Sequence, residues 1–306
     1  MNYPGLSLVE FEATDSVVLP GLLYEPTTPT KKALLYLHGN GSSSIFYSPS
    51  KQNKLAQLLC DEKIAYFPFN NRGAHYIKKL KKNTKPESDI LAGMAYEQIK
   101  ECIYDIDGAI QFLQKKGYTT FYLAGSSTGA NKICVYNYYA SSNLCAGYIL
   151  ISGGDDTGLF YNALGDKKFH EALKKSHDMI KKGKGETRAP ANYTGSTILS
   201  YKSLYDTINP NGDYNIFPYY EHFNNVHLST KKKFREFCSI TIPTLVLYAE
   251  QDEYCYGKVP EIVETLKNLH SDLHKYTFTI IPETNHGFDG KENELNKSII
   301  GWLGKN

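Results

Sequence analysis

The sequence predicts an α/β fold built on a mostly parallel sheet flanked by helices, and three observations carry that expectation. Apolar runs of strand length, "KKALLYLHGNG", "KIAYFPFNNRG", "TTFYLAG", "CAGYILISGG", "TIPTLVLYAEQD" and "KYTFTIIPETNHG", have the pattern of strands buried on both faces, and most of them stop at Gly, Asn or Asp. Segments of helical periodicity alternate with them, as a parallel sheet with crossover helices requires. With 306 residues, 41% of them hydrophobic, the chain also has enough apolar material for a substantial core.

Taken in order, residues 6–13 and 16–24 read as two β-runs joined by "ATDS", an antiparallel hairpin. The first buried strand follows, then a helical stretch around residues 51–59, then the second strand. Residues 90–116, "ILAGMAYEQIKECIYDIDGAIQFLQKK", carry apolar residues at helical spacing and stop before Gly117, so they read as one helix. "NKICVYNYYAS", "VPEIVETLKNLH" and "ENELNKSIIGWLG" are the further expected helices. The alternation breaks once, over residues 154–238, where no buried strand is evident. A connection that long is usually functional. It predicts a largely helical cap inserted after the sixth strand, over a core made of residues 1–153 and 239–306. Within it, "DKKFHEALKKSHDMIKKG" places Phe169, Ala172, Leu173 and Ile180 on one helical face, with Asp166 as expected N-cap and Gly183 as stop.

Charge excludes some partners. The 34 Lys and Arg against 32 Asp and Glu leave a formal charge of +2, without the global field that drives binding to nucleic acid. No run approaches the length of a membrane span, and "MNYPGLSLVEFEATDS" lacks a basic and then apolar leader, so a cytoplasmic protein is expected. Cys60, Cys102, Cys134, Cys145, Cys238 and Cys255 are scattered without a CxxC pair or a His cluster, which predicts reduced thiols and no structural zinc.

The chemistry concentrates at "FYLAGSSTGANKI", where Gly125, Ser127 and Gly129 form G-x-S-x-G between an expected strand and an expected helix. That context is what a nucleophile elbow needs, and it selects Ser127 over Ser126, because centring on Ser126 would put Ala124 and Thr128 where the glycines belong. A serine hydroxyl needs a base, itself oriented by an acid. "PETNHG" offers His286 after the last strand and "YAEQD" offers Asp252 after the one before. "HGNG" at residues 38–41 follows an early strand, so the backbone N–H groups of Asn40 and Thr128 are expected to form an oxyanion hole. All of these pieces fall just after strands, at the carboxyl edge where sites of open α/β sheets gather.

Over residues 17–303 the chain resembles the α/β-hydrolase superfamily, on "LYLHGNG", "FNNRGAH", "YDIDGAIQFLQKKGYTTFYLAGSSTGA", "IPTLVLYAEQDEYCY" and "IPETNHGF". "SYKSLYDTINPNGDYNIFPYYE" is also similar to a group of siderophore-type esterase-like hydrolases, without assigning a substrate. The resemblance implies a typically eight-stranded sheet, a small-molecule acyl substrate, a covalent acyl-enzyme and no cofactor. Three departures stand out: Ser126 where many relatives carry a larger residue, Asn70 where many carry Asp, and Ala249 in place of Gly, which leaves Glu250 and Glu253 as competitors of Asp252. Hydrolysis of a carboxylic ester is the leading expectation. A thioesterase, an amidase, an acyltransferase or a binding protein with little turnover would use the same parts. Two features of the inserted segment bear on substrate: lysines at 167, 168, 174, 175, 181, 182 and 184, able to attract an anion or simply to wet a helix, and the aromatic residues Tyr193, Tyr201, Tyr205, Tyr214, Phe217, Tyr219 and Tyr220, able to line a pocket or to fill a core.

Overall fold

The computed structural model describes residues 5–41, 43–86, 88–269 and 273–306. Residues 1–4 of the opening stretch, and His270 at the end of the helix expected over "VPEIVETLKNLH", lie outside the described residues. Strands β1 (Gly5–Glu12) and β2 (Val18–Glu25) form the hairpin, with Ser16 turning the chain at φ 72°. β3 (Lys32–Leu37), α1 (Pro49–Asp61) and β4 (Ala65–Phe69) follow, then a small separate hairpin of β5 (Lys78–Lys82) and β6 (Ser88–Ala92). α2 (Cys102–Lys115), β7 (Thr120–Ser126), α3 (Thr128–Tyr139) and β8 (Cys145–Ile151) complete the first half. Six helices come next: α4 (Asp156–Leu164), α5 (Asp166–Lys181), α6 (Ala191–Thr194), α7 (Tyr201–Ile208), α8 (Tyr219–Phe223) and α9 (Arg235–Cys238). β9 (Thr244–Ala249), α10 (Val259–Asn268), β10 (Tyr276–Ile281) and α11 (Glu292–Leu303) close the chain.

The main sheet has eight strands in the order β1-β2-β4-β3-β7-β8-β9-β10, antiparallel from β1 to β4 and parallel from β4 to β10. Its central strands are apolar without alternation because helices cover both faces. Leu55, Leu59, Ile299 and Trp302 of α1 and α11 pack on one face, and Ile106, Leu113, Ile133 and Ile262 of α2, α3 and α10 on the other. Parallel strands carry their carboxyl ends to one edge, so Ser127, Asp252 and His286 reach the same edge from β7, β9 and β10.

Two local expectations are corrected. Residues 90–116 are not one helix: residues 90–92 belong to β6, and helix begins only at a 3₁₀ turn (Ile99–Glu101) leading into α2. Gly93 interrupts it, at φ +92° and with the Tyr76 carbonyl oxygen 2.7 Å from where a Cβ would stand. Asp166 is the first residue of α5 and not its cap, a place held by Gly165, so its carboxylate serves the helix as a first-turn charge.

Residues 154–238 supply helices and no strand among the described residues. Phe169, Ala172, Tyr193, Leu199, Leu204 and Ile208 form a small core of their own, whereas Tyr214, Phe217, Tyr219 and Phe237 join the core beneath the main sheet. Among the described residues no helix is long and apolar enough to cross a membrane.

Candidate active site

The turn between β7 and α3 is a single residue, Ser127, at φ 56° and ψ −127°. A non-glycine residue in such a conformation stores roughly 1–3 kcal/mol and persists only where its surroundings fix it. Here the Ser127 N–H donates to the Ile151 carbonyl at 2.8 Å and the Ala130 N–H donates to the Ser127 carbonyl at 2.8 Å. The flanking glycines are steric requirements: a Cβ on Gly125 would lie 2.3 Å from the Gly129 carbonyl oxygen, and one on Gly129 would lie 2.4 Å from that of Leu37. Gly129→Ala must therefore push α3 away from β3. A loss of stability of about 1–3 kcal/mol is expected, read as a lowered urea midpoint. Ser126, still in the strand, bonds through its side chain to Tyr36 on β3.

His286 and Asp252 meet at the edge of the same sheet. The imidazole Nδ1 lies 2.8 Å from Asp252 Oδ2, and the other carboxylate oxygen accepts the Tyr254 backbone N–H at 3.0 Å. Asp252 is buried. Its two competitors hold backbone instead: Glu253 Oε2 accepts the His286 N–H at 3.0 Å and Glu250 Oε2 accepts the Glu283 N–H at 2.9 Å. Tyr254 stands edge-on to the imidazole at 4.8 Å, and Lys51 of α1 donates to the Gly287 carbonyl at 3.1 Å and to Asp289 at 2.9 Å, tying down the loop that carries the histidine. With Nδ1 committed to Asp252, Nε2 is the nitrogen left for chemistry.

Ser127, Thr128, Asn40 and His286 all line one cavity of about 690 Å³, the size of a small-molecule site, with Asp252 behind the histidine. Gly39 is what allows the backbone of "HGNG" to come against the serine, since a Cβ there would stand 2.9 Å from Ser127 Cβ. Asn40 is pinned from two sides: its amide donates to Tyr214 Oη at 2.7 Å and its carbonyl accepts the Ser43 hydroxyl at 2.5 Å. Thr128 opens α3, so its N–H is one of the donors a helix leaves without an intrahelical partner. Leu159 and Phe160 of α4 and Thr197 bring residues 154–238 to the same cavity. None of the seven lysines singled out in that segment lines it, and neither does any of the seven aromatic residues. Tyr214, Phe217 and Tyr219 are core, and Tyr193 and Tyr201 fill the smaller cluster.

Three residues of this region escape sequence reasoning. His38 is buried, its Nδ1 donates to the Gly39 carbonyl at 2.7 Å, and its Nε2 has no partner among the described residues. Burial, reinforced by the nearby Lys132 charge, pushes its pKa down to about 3. The folded state thus holds this histidine neutral while the unfolded chain protonates it near 6.5. Its contribution to stability is full above that value and is lost as pH falls from 6.5 towards 3, at up to about 1.4 kcal/mol per pH unit. The thermal midpoints of wild type and His38→Gln, measured from pH 8 to pH 4, should accordingly converge as the pH falls, because only the wild type carries this term.

Asp155 and Asp156 are the other two, at the end of "GGDD" after β8, where an acidic pair reads simply as a helix start. Asp155 is that cap: Oδ1 accepts the Gly158 N–H at 2.8 Å and Oδ2 the Tyr220 N–H at 2.6 Å, while burial still pushes its carboxyl up to about 7. Asp156 faces the cavity, and burial pushes it up to about 6 against the pull of His286. Cys255 is buried beside Asp252, where burial pushes the thiol pKa up, the condition of an inert packing thiol. No group of three or more His, Cys, Asp or Glu among the described residues could hold a metal ion.

A mostly parallel eight-stranded sheet with an elbow after β7 and loops gathered at its carboxyl edge is the α/β-hydrolase fold. Within it, the chain belongs to the family described as "Protein of unknown function (DUF1749)", whose model matches residues 88–303. No curated protein matches it by sequence. Among solved structures it is similar to Est1E of Butyrivibrio proteoclasticus, described with ferulic acid bound, at a TM-score of 0.62 and 13% identity over 96% of this chain and 98% of that one. It is also similar to the Pyrococcus furiosus esterase Pf2001, at 0.55 and 14% over 99% and 91%, and to the Bacillus subtilis carboxylesterase CesB, at 0.56 and 14% over 99% and 93%.

Proposed function

We propose that this chain is a serine hydrolase that cleaves a carboxylic ester of a small or medium-sized substrate. The observation that carries the reading is the 2.8 Å hydrogen bond from His286 Nδ1 to Asp252 Oδ2, at a cavity that the imidazole shares with a serine on a strained single-residue turn. Ser127 Oγ attacks the carbonyl carbon as His286 Nε2 takes the hydroxyl proton. Asp252 fixes the imidazole tautomer and stabilises its cationic form. The oxyanion forms against the N–H groups of Asn40 and Thr128. The bond to the leaving alcohol then breaks, the alcohol oxygen takes the proton from His286, and Ser127 remains acylated. Water repeats the sequence and releases the acid.

The descriptions of Pf2001 as an esterase and of CesB as a carboxylesterase support the choice of ester over other acyl groups. Residues 154–238 act as the cap over a core of residues 1–153 and 239–306, a reading supported by Leu159, Phe160 and Thr197 at the cavity. Free cysteines fit a reducing compartment, and the cytoplasm is the proposed location. The test is intact-mass analysis after treatment with a fluorophosphonate, on wild type, Ser127→Ala and Ser126→Ala, followed by a panel of esters, thioesters and amides. A single adduct lost only in Ser127→Ala is expected; no adduct on wild type would sink the reading in favour of a binding protein.

A further inference from the structure

One carboxylate in the cavity has neither a task in the mechanism nor an ion pair among the described residues. Asp156, the first residue of α4, lines the same cavity as Ser127, Thr128 and His286. Its neighbour shows what a satisfied carboxylate looks like here, since Asp155 accepts from the Gly158 and Tyr220 N–H groups and from the Tyr256 hydroxyl at 3.3 Å. Asp156 receives only its own backbone N–H among the described residues. The cations nearby are engaged elsewhere, Lys51 with Gly287, Asp289 and Glu292 and Lys132 with Glu97 at 2.5 Å, and the Nδ1 of His286 faces Asp252. Glu292, which also lines the cavity, is paired with Lys51 at 3.6 Å, which leaves Asp156 as the lining carboxylate without an ion pair among the described residues.

Asp156 is half-buried, and a carboxylate partly withdrawn from water with no side-chain donor gains when a ligand brings one to it. Resting on the esterase reading, we propose that Asp156 selects esters whose acyl part carries a hydrogen-bond donor close to the scissile carbonyl, a protonated amine above a hydroxyl. The lysines of residues 167–184, the one feature that pointed to an anionic substrate, are not in the cavity to oppose this. Asp156 is a specificity residue in this account and takes no part in proton transfer.

The test uses the full chain and three matched esters: p-nitrophenyl butanoate, 3-hydroxybutanoate and 3-aminobutanoate. Each kcat/KM is divided by the ester's own rate of hydrolysis by hydroxide, which removes the activating effect of the substituent. Wild type should favour the amino ester over the plain one by about 10- to 100-fold, the range of one hydrogen bond to a charged group. Asp156→Asn should reduce that ratio at least tenfold, and Asp156→Glu should retain part of it. A wild type that does not discriminate, or an Asp156→Asn that slows all three esters in equal proportion, would overturn the proposal. Hydrolysis of none of the three would instead defeat the esterase reading. The role of Asp156 would then be decided by equilibrium binding of n-butylammonium against n-butanol: a preference for the ammonium lost in Asp156→Asn supports it, and equal binding overturns it.

Discussion

Ser127→Ala should lower kcat for an activated ester such as p-nitrophenyl butanoate by about a millionfold, with the fold intact. The magnitude is that of losing a nucleophile from a site in which nucleophile and base act as a unit. Alanine keeps the Cβ and both backbone bonds that hold the elbow, from Ser127 N–H to Ile151 and from Ala130 N–H to the position 127 carbonyl, so the thermal midpoint should move little. Asp252→Asn should cost about ten-thousandfold, because an amide facing Nδ1 stabilises the wrong tautomer and cannot balance the imidazolium. Combining the two should add almost nothing to Ser127→Ala alone, since without the nucleophile there is no proton for His286 to take. Steady-state kinetics on the three proteins check this. Retention of more than about a hundredth of wild-type kcat in Ser127→Ala would place the chemistry elsewhere.

The candidate site was legible because its parts are local signals. G-x-S-x-G is readable since two backbone approaches forbid a Cβ at Gly125 and Gly129, and such a requirement leaves a mark at fixed spacing. The main strands were legible because burial on both faces removes polar residues from them. What escaped was set by partners distant in sequence. Nothing within "KKLKKNTKPESDILA" announces that β5 and β6 pair as a separate hairpin, and residues 90–92 keep a helical spacing that only the turn at Gly93 contradicts. The use of Glu250 and Glu253 as holders of the histidine loop depends on residues 283 and 286, beyond the reach of any local pattern. Asp155 and Asp156 are adjacent and chemically identical, and they differ only in that one meets Tyr220 and Tyr256 while the other meets a cavity.

The largest expected effect on stability falls on a pair that no motif contains. Lys132 lies on α3, five residues beyond Ser127, and its ammonium is buried against Glu97 at 2.5 Å and the Asn71 side-chain oxygen at 3.0 Å. Glu97 is packed so closely on Gly73 that a Cβ there would stand 2.0 Å from its carboxylate, and burial pushes its pKa up even with the lysine beside it. Lys132→Met removes the only cation paired with this carboxylate among the described residues and leaves it buried without a counter-charge, at a cost of about 3–5 kcal/mol. A buried pair is not itself a strong source of stability, because desolvation of both ions offsets their attraction. Lys132→Met combined with Glu97→Leu should therefore be more stable than Lys132→Met alone, recovering most of the loss. Urea midpoints of the wild type, the single and the double variant at pH 7 decide it: a double variant no better than the single one would mean that Lys132 matters through Asn71 and the turn it holds, and not through Glu97. Either result also bears on the proposed oxyanion hole, because α3 carries the N–H of Thr128 on the helix that Lys132 anchors.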